Sequence, residues 1–302
     1  MRPSRIPQPT RLAVVLGCIV AAVGAPVVVL DTDEKPIQFM QATHEGERYF
    51  IAWCLPGKGV SRRVVLLSTQ LPARRWLSQT PKGHIRAAIN GPLFNSDSGV
   101  PFNEVGLGGG KWVSDPKWSP CPVQRYCFGM DGEVSVKSTQ GFTRMARCPY
   151  PPSVPQAYYH VPDGFRSRYP YGFSGVGLLL DCSGEAPAVL SSETSDWARM
   201  FPETDLARSA LVWTDRGDFI MVEAESATWH RTGEFIAHEI TKLRPWRGEC
   251  HITGAIMLDG GSTAQFGWAQ RRDNGELIVQ MPVEQANERQ VVPLIVGVEG
   301  EY

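Results

Sequence analysis

Short runs rich in β-branched and aromatic residues, each closed by Gly, Pro or Asp turn chemistry, recur from residue 48 to residue 298, and this pattern constrains the fold most. Arg48–Leu55, Val64–Thr69 and Arg86–Asn90 read as strands, the last ending at a Gly-Pro turn. Arg125–Met130 and Glu133–Lys137 flank the turn Asp131-Gly132, while Ala210–Thr214 and Phe219–Glu223 flank Arg216-Gly217. Val176–Leu180, Ala255–Leu258 and Gln290–Val298 complete the set. One helix stands out, Thr232–Leu243, with Thr232 as cap, Glu234 in its first turn, and Phe235, Ile236, Ile240 and Leu243 on one face; Pro245 stops it. The expected class is therefore α+β, a single domain with an extensive mixed β-sheet core and few helices.

With 302 residues, 42% of them hydrophobic, the chain can bury a large core, and no repeat, charge block or linker divides it. Thirty basic residues stand against thirty-one acidic, a net charge of -1. No basic block is long enough to follow a nucleic-acid backbone, so nucleic acid is excluded as an expected partner. Residues 144–171, crowded with Pro and Tyr, read as a surface excursion, an insertion or a lid.

Arg2, Arg5 and Arg11 precede Leu12–Leu30, a 19-residue run made only of apolar residues, Gly, Cys and Pro. A basic segment held inside and an apolar stretch entering the bilayer is an export signal. Ala22 and Gly24 are spaced for cleavage before Ala25, giving residues 1–24 as a signal peptide; the other outcome is an uncut anchor extending to residue 30. Residues 31–302 form the expected domain, periplasmic or secreted, with the membrane met only through the N-terminal segment. Apart from Cys18 there are six cysteines, Cys54, Cys121, Cys127, Cys148, Cys182 and Cys250, an even number that points to disulfides in an exported chain. Cys121–Cys127 is the expected local bridge, and the remaining pairing is open.

Several familiar sites fail on spacing. Gly106–Lys111 lacks the upstream Gly and the hydroxyl after Lys that a phosphate loop needs, since Trp112 follows. His238-Glu239 begins a zinc-binding helix motif, but Lys242 occupies the second ligand position. Gly172–Val176 and Gly260–Ala264 each lack the final Gly of a nucleophile elbow.

Two segments remain. In Ala87–Asn95 a strand of buried type ends in the amides of Asn90 and Asn95, beside Gly91, which lets another group come close. In Ala255–Thr263 an apolar strand delivers Asp259 and then Gly260, Gly261, Ser262 and Thr263, a backbone able to turn N–H groups toward an anion. Each also fits a plain strand-and-turn reading.

In order and content the motifs resemble the phosphodiester glycosidase family. Asn90-Gly-Pro-Leu-Phe94 is similar to its early Asn-Gly-x-Phe element with one extra residue, and Pro101–Lys111 to its Gly-rich hairpin. Phe128–Gly132, the strand pair opened by Arg208, the helix, the Leu258–Thr263 signature and the ending Val291–Val298 follow in the family's order. The chain departs from it where members carry Asp-Gly-Arg and this sequence has Glu223-Ala-Glu225-Ser226.

The resemblance implies hydrolysis of a sugar 1-phosphodiester in a glycan or envelope polysaccharide, with a carbohydrate or sugar-phosphate as substrate. Such a reaction stabilises an oxocarbenium-like centre while phosphate leaves, so one well-placed carboxylate and an anion site suffice, and no cofactor or metal is required. Asp259 is assigned as the carboxylate acting at C1 or on water, with Glu225 as the second carboxylate. Arg208 and Gly260–Thr263 are assigned to the phosphate, and Asn90, Gly91 and Asn95 to the sugar. The competing expectation is a non-catalytic envelope protein that stacks glycans on Trp112, Trp118 or Trp229.

Overall fold

The computed structural model describes residues 28–29, 37–54, 62–67, 72–78, 85–92, 94, 105–107, 112–113, 126–130, 146–147, 171–180, 188–189, 204–216, 218–243, 250–284 and 295–300. Chain order begins with β1 (Val28–Val29), β2 (Ile37–His44), β3 (Glu47–Cys54), β4 (Arg62–Leu67), helix α1 (Ala73–Ser78) and β5 (Ile85–Asn90). Next come β6 (Val105–Leu107), β7 (Trp112–Val113), β8 (Tyr126–Met130), β9 (Ala146–Arg147), β10 (Tyr171–Leu180) and β11 (Ala188–Val189). β12 (Leu206–Thr214) and β13 (Phe219–Ala227) precede helix α2, which is α-helical over Trp229–Glu234, π-helical over Phe235–Glu239 and 3-10 over Ile240–Leu243. β14 (Ile252–Met257), a 3-10 turn at Gly261–Thr263, β15 (Gln265–Arg271), β16 (Leu277–Glu284) and β17 (Ile295–Gly300) complete it.

The strands form two sheets, one with the central order β1-β2-β3-β13-β12-β14-β10-β6-β7 and the other with the order β16-β15-β5-β17-β4. The α+β class with few helices holds. The expected mixed sheet is corrected, because every described pairing is antiparallel. Parallel neighbours need long crossovers, usually helical, whereas β2/β3, β12/β13 and β15/β16 are joined by short reversals. In the first of these the turn residues Glu45 and Gly46 both take positive φ, 51° and 86°, the twist a two-residue hairpin prefers.

Strand alternation sorts the large sheet into two apolar faces. Phe50, Ala52, Leu211, Phe219, Met221 and Ile256 face the second sheet and meet Ala87, Ile89, Phe266 and Trp268. Tyr49, Ile51, Val212, Ile220, Val222 and Ala255 lie on the other face, covered by Trp229, Phe235, Ile236 and Ile240 of α2. On the outer face of the second sheet, Ala73 and Leu77 of α1 pack with Ile85, Ala88 and Ala269.

The helix begins earlier than the sequence suggests. Thr228 is its cap, its side chain accepting from Arg231 N at 3.1 Å, while Thr232 is buried and bonds back to Thr228 O at 2.9 Å. Trp229 anchors this early start in the core at 4% exposure. The predicted strand Glu133–Lys137 lies outside the described residues, as do residues 1–27 with the expected cleavage site. Val28 and Val29, inside the apolar run, pair with Gln41 and Met40. No helix among the described residues is long and apolar enough to cross a membrane. Cys54 and Cys250 are buried; the expected Cys121–Cys127 pair depends on Cys121, which lies outside the described residues.

Candidate active site at the seam between the sheets

Where β14 ends, the chain crosses from one sheet to the other. Leu258 N still bonds to Ser209 O of β12 at 2.9 Å, extending the first sheet's ladder. One residue later Asp259 N bonds to Gly91 O, just beyond β5 of the second sheet, also at 2.9 Å. Asp259 is therefore fixed at the seam by its place in the crossover.

Asn90 fastens the same seam from β5. Its Oδ1 accepts from Ser209 Oγ at 2.8 Å and from the N–H of Gln265, which opens β15, at 3.1 Å. Its Nδ2 donates to the main-chain oxygen of Asp259. The residue is fully buried and both ends of its amide are engaged inside the protein. Asn90 therefore holds the site together instead of presenting its amide to a sugar, and Gly91 contributes a carbonyl to the same framework.

The Asp259 side chain is held twice. Oδ1 accepts from Gly260 N at 2.9 Å and Oδ2 from Thr263 Oγ1 at 2.7 Å. Gly260 has no room for a side chain, because a Cβ there would lie 2.4 Å from Ala207 O. The residue keeps some open surface, yet protein crowds its carboxyl group. That burial pushes its pKa from 3.8 up to about 6, against the opposing pull of the Thr263 and Gly260 bonds. Ser262 is the exposed member of the turn. Thr263 N and Ala264 N are spent on Gly260 O and Gly261 O.

A second carboxylate faces the seam, and it is Glu223. It stands opposite Ser209 across β12 and β13, on the face that carries Phe219 and Met221, with no exposure at all. Neither of its oxygens has a hydrogen-bond partner among the described residues. Burial first, and the Asp259 charge in addition, push its pKa from 4.5 up to about 8. The neighbouring Ser209 hydroxyl works the other way, but its short hydrogen bond goes to Asn90. Two carboxyl groups whose surroundings drive their proton affinities apart are the arrangement that acid–base sites use.

The remaining expectations fare differently. Glu225 is corrected as the second carboxylate: Arg48 Nε and Nη2 clasp it at 2.5 Å each in an exposed ion pair, and it is Glu223 that is coupled to Asp259. Arg208 is corrected as a phosphate ligand. It pairs with Ala224 on the opposite face from Ser209, and its guanidinium bonds Ala227 O at 3.3 Å and Thr204 O at 3.0 Å. Asn95 lies outside the described residues. Trp229 is core, and the side chains of Trp112 and Trp118 are outside the described set. No group of three or more His, Cys, Asp or Glu able to hold a metal occurs among the described residues.

No family model matches the chain, and no curated protein matches it in sequence. Among solved structures it is similar to a hypothetical protein from Synechocystis, with 15% identity and a TM-score of 0.46. That match covers 91% of this chain and 64% of the other, so the chain spans about two thirds of that protein's length.

Proposed function

We propose that the protein is an exported phosphodiester-glycosidase-like hydrolase that cleaves the glycosidic bond of a sugar 1-phosphodiester in a glycan or envelope polysaccharide. The observation that carries this reading is the paired burial of Asp259 and Glu223 at the seam, which leaves one negative charge on the pair near neutral pH, held by Asp259. Asp259 either takes a proton from the attacking water or attacks C1 itself, giving a glycosyl ester that a water then cleaves to free the sugar and restore the carboxylate. The new bond forms from oxygen to C1, and the electron pair of the old C1–O bond leaves with the phosphate.

Phosphate is a good leaving group, so the reaction does not depend on a strong external acid. The exposed Ser262, beside Asp259 in sequence, is the group of this turn open to an incoming phosphate, since Thr263 is engaged with the carboxylate. The test is to incubate the protein with a panel of sugar 1-phosphodiesters and measure the free sugar and phosphomonoester released. Hydrolysis of at least one, with an acidic limb near pH 6, supports the reading. No release from any member contradicts it.

A further inference from the structure

We infer that Glu223 is a positioning residue for Asp259, acting on the neighbouring Ser209 hydroxyl, whose hydrogen bond to Asn90 leads on to the Asp259 main chain. The inference rests on the reading of Asp259 as the working carboxylate. Glu223 has no exposed surface and so cannot touch a substrate directly. What it faces is Ser209, its register partner across β12 and β13.

Ser209 has a single hydroxyl proton and two groups that compete for it. In the structure that proton goes to Asn90 Oδ1 at 2.8 Å. A neutral Glu223 allows this, because a carboxylic acid is a weak acceptor and neither of its oxygens holds the Ser209 hydroxyl. With Oδ1 held by Ser209 and Gln265, the Asn90 amide has one orientation, and Nδ2 points to Asp259 O. An ionised Glu223 reverses the order. Hydrogen bonds to a charged acceptor are roughly twice as strong as neutral ones, so the Ser209 proton turns to Glu223 and releases one of the bonds that orient Asn90.

Burial above all keeps Glu223 neutral near pH 7. Asp259 on the crossover loop repels its ionised form. Glu225 on the same strand is neutralised by Arg48 of β3, Arg208 of β12 is turned to the other face, and Arg86 of β5 bonds Ala269 O. Phe50, opposite Glu223 on β3, brings no charge. Burial, and after it the Asp259 charge, hold the proton until about pH 8.

The decisive experiment follows the side-chain amide resonance of Asn90 by NMR in the ligand-free full chain from pH 6 to pH 9.5. The unmodified protein should show one transition with its midpoint near pH 8. Glu223→Gln, close in shape and permanently neutral, should keep the neutral-pH signal throughout, and Ser209→Ala should lose the transition because the link is cut. A transition that persists in Glu223→Gln, or none in the unmodified protein, overturns the inference. On any substrate the protein hydrolyses, kcat should fall above pH 8 in the unmodified protein, and Glu223→Gln, whatever its kcat at neutral pH, should lack that alkaline limb. If nothing is hydrolysed, the proposed activity fails while the amide titration still decides the role of Glu223.

Discussion

Asn90 donates to the main-chain oxygen of Asp259 while Gly91, the next residue, accepts from the Asp259 N–H, so two consecutive residues leaving β5 grip both main-chain polar groups of one residue. That double grip ties the end of a strand in one sheet to the first residue of the crossover from the other.

The crossover also depends on Gly260. A methyl group there would meet Ala207 O at 2.4 Å, a contact with rigid main chain that can be relieved only by moving β12 or the turn. Gly260→Ala should lower stability by about 1–3 kcal/mol, the usual cost of overpacking a fixed site. Thermal or urea unfolding reads this directly, and an unchanged midpoint would show that the turn is not pressed against β12.

Thr263 donates to Asp259 Oδ2 and so favours the ionised carboxylate. Thr263→Val should therefore raise the Asp259 pKa above about 6. Losing a hydrogen bond to a charged group is worth roughly one pH unit, so the acidic limb of kcat/KM should move about that far toward alkaline pH. A limb that stays in place or moves toward acid would contradict the assignment.

Glu223 imposes a pH dependence on stability itself. Its folded pKa, about 8, lies above the ordinary value of 4.5, so the folded state binds the extra proton between those limits. The associated stability is complete below pH 4.5 and is lost as pH rises toward 8, at no more than about 1.4 kcal/mol per pH unit for one proton. Unfolding midpoints of the unmodified protein should fall from pH 6 to pH 8 more steeply than those of Glu223→Gln. Parallel slopes would mean that Glu223 is ionised in the folded state.

Glu225 should be dispensable. Its pairing with Arg48 is exposed and screened, and such pairs contribute at most about 1 kcal/mol. Glu225→Gln should leave turnover within about twofold of the unmodified protein, against the orders of magnitude expected for a catalytic carboxylate. A large loss of kcat at constant stability would return Glu225 to the site.

Much of this was legible in the sequence. The strands around β3, β5, β12, β13 and β14 follow from β-branched and aromatic runs, and Asp259 stands out as a carboxylate delivered by an apolar strand into a Gly-rich turn. β2 was not legible because Glu45-Gly46 lacks the Asn or Asp that usually signals a two-residue hairpin. β15 and β16 were obscured by Gly267, where a Cβ would meet Met281 at 2.3 Å, and by Pro282. Choosing between Glu223 and Glu225 needed burial and partners. Residues two apart share a strand face in a regular strand, so spacing alone cannot tell which one lies under the second sheet and which reaches Arg48. Arg208 misled because it lies on the face away from Ser209 and bonds two backbone carbonyls there, neither visible as a motif.

Asp259→Asn is the substitution on which the proposed chemistry stands. It keeps the shape of the side chain and one oxygen for Gly260 N or Thr263 Oγ1, and removes the charge. Measured on a sugar 1-phosphodiester that the unmodified protein hydrolyses, with thermal unfolding as control, kcat should fall by about 100-fold or more while the fold persists. Hydrolysis by Asp259→Asn at the unmodified rate would show that the Leu258–Thr263 segment is a structural crossover and that the chemistry lies elsewhere.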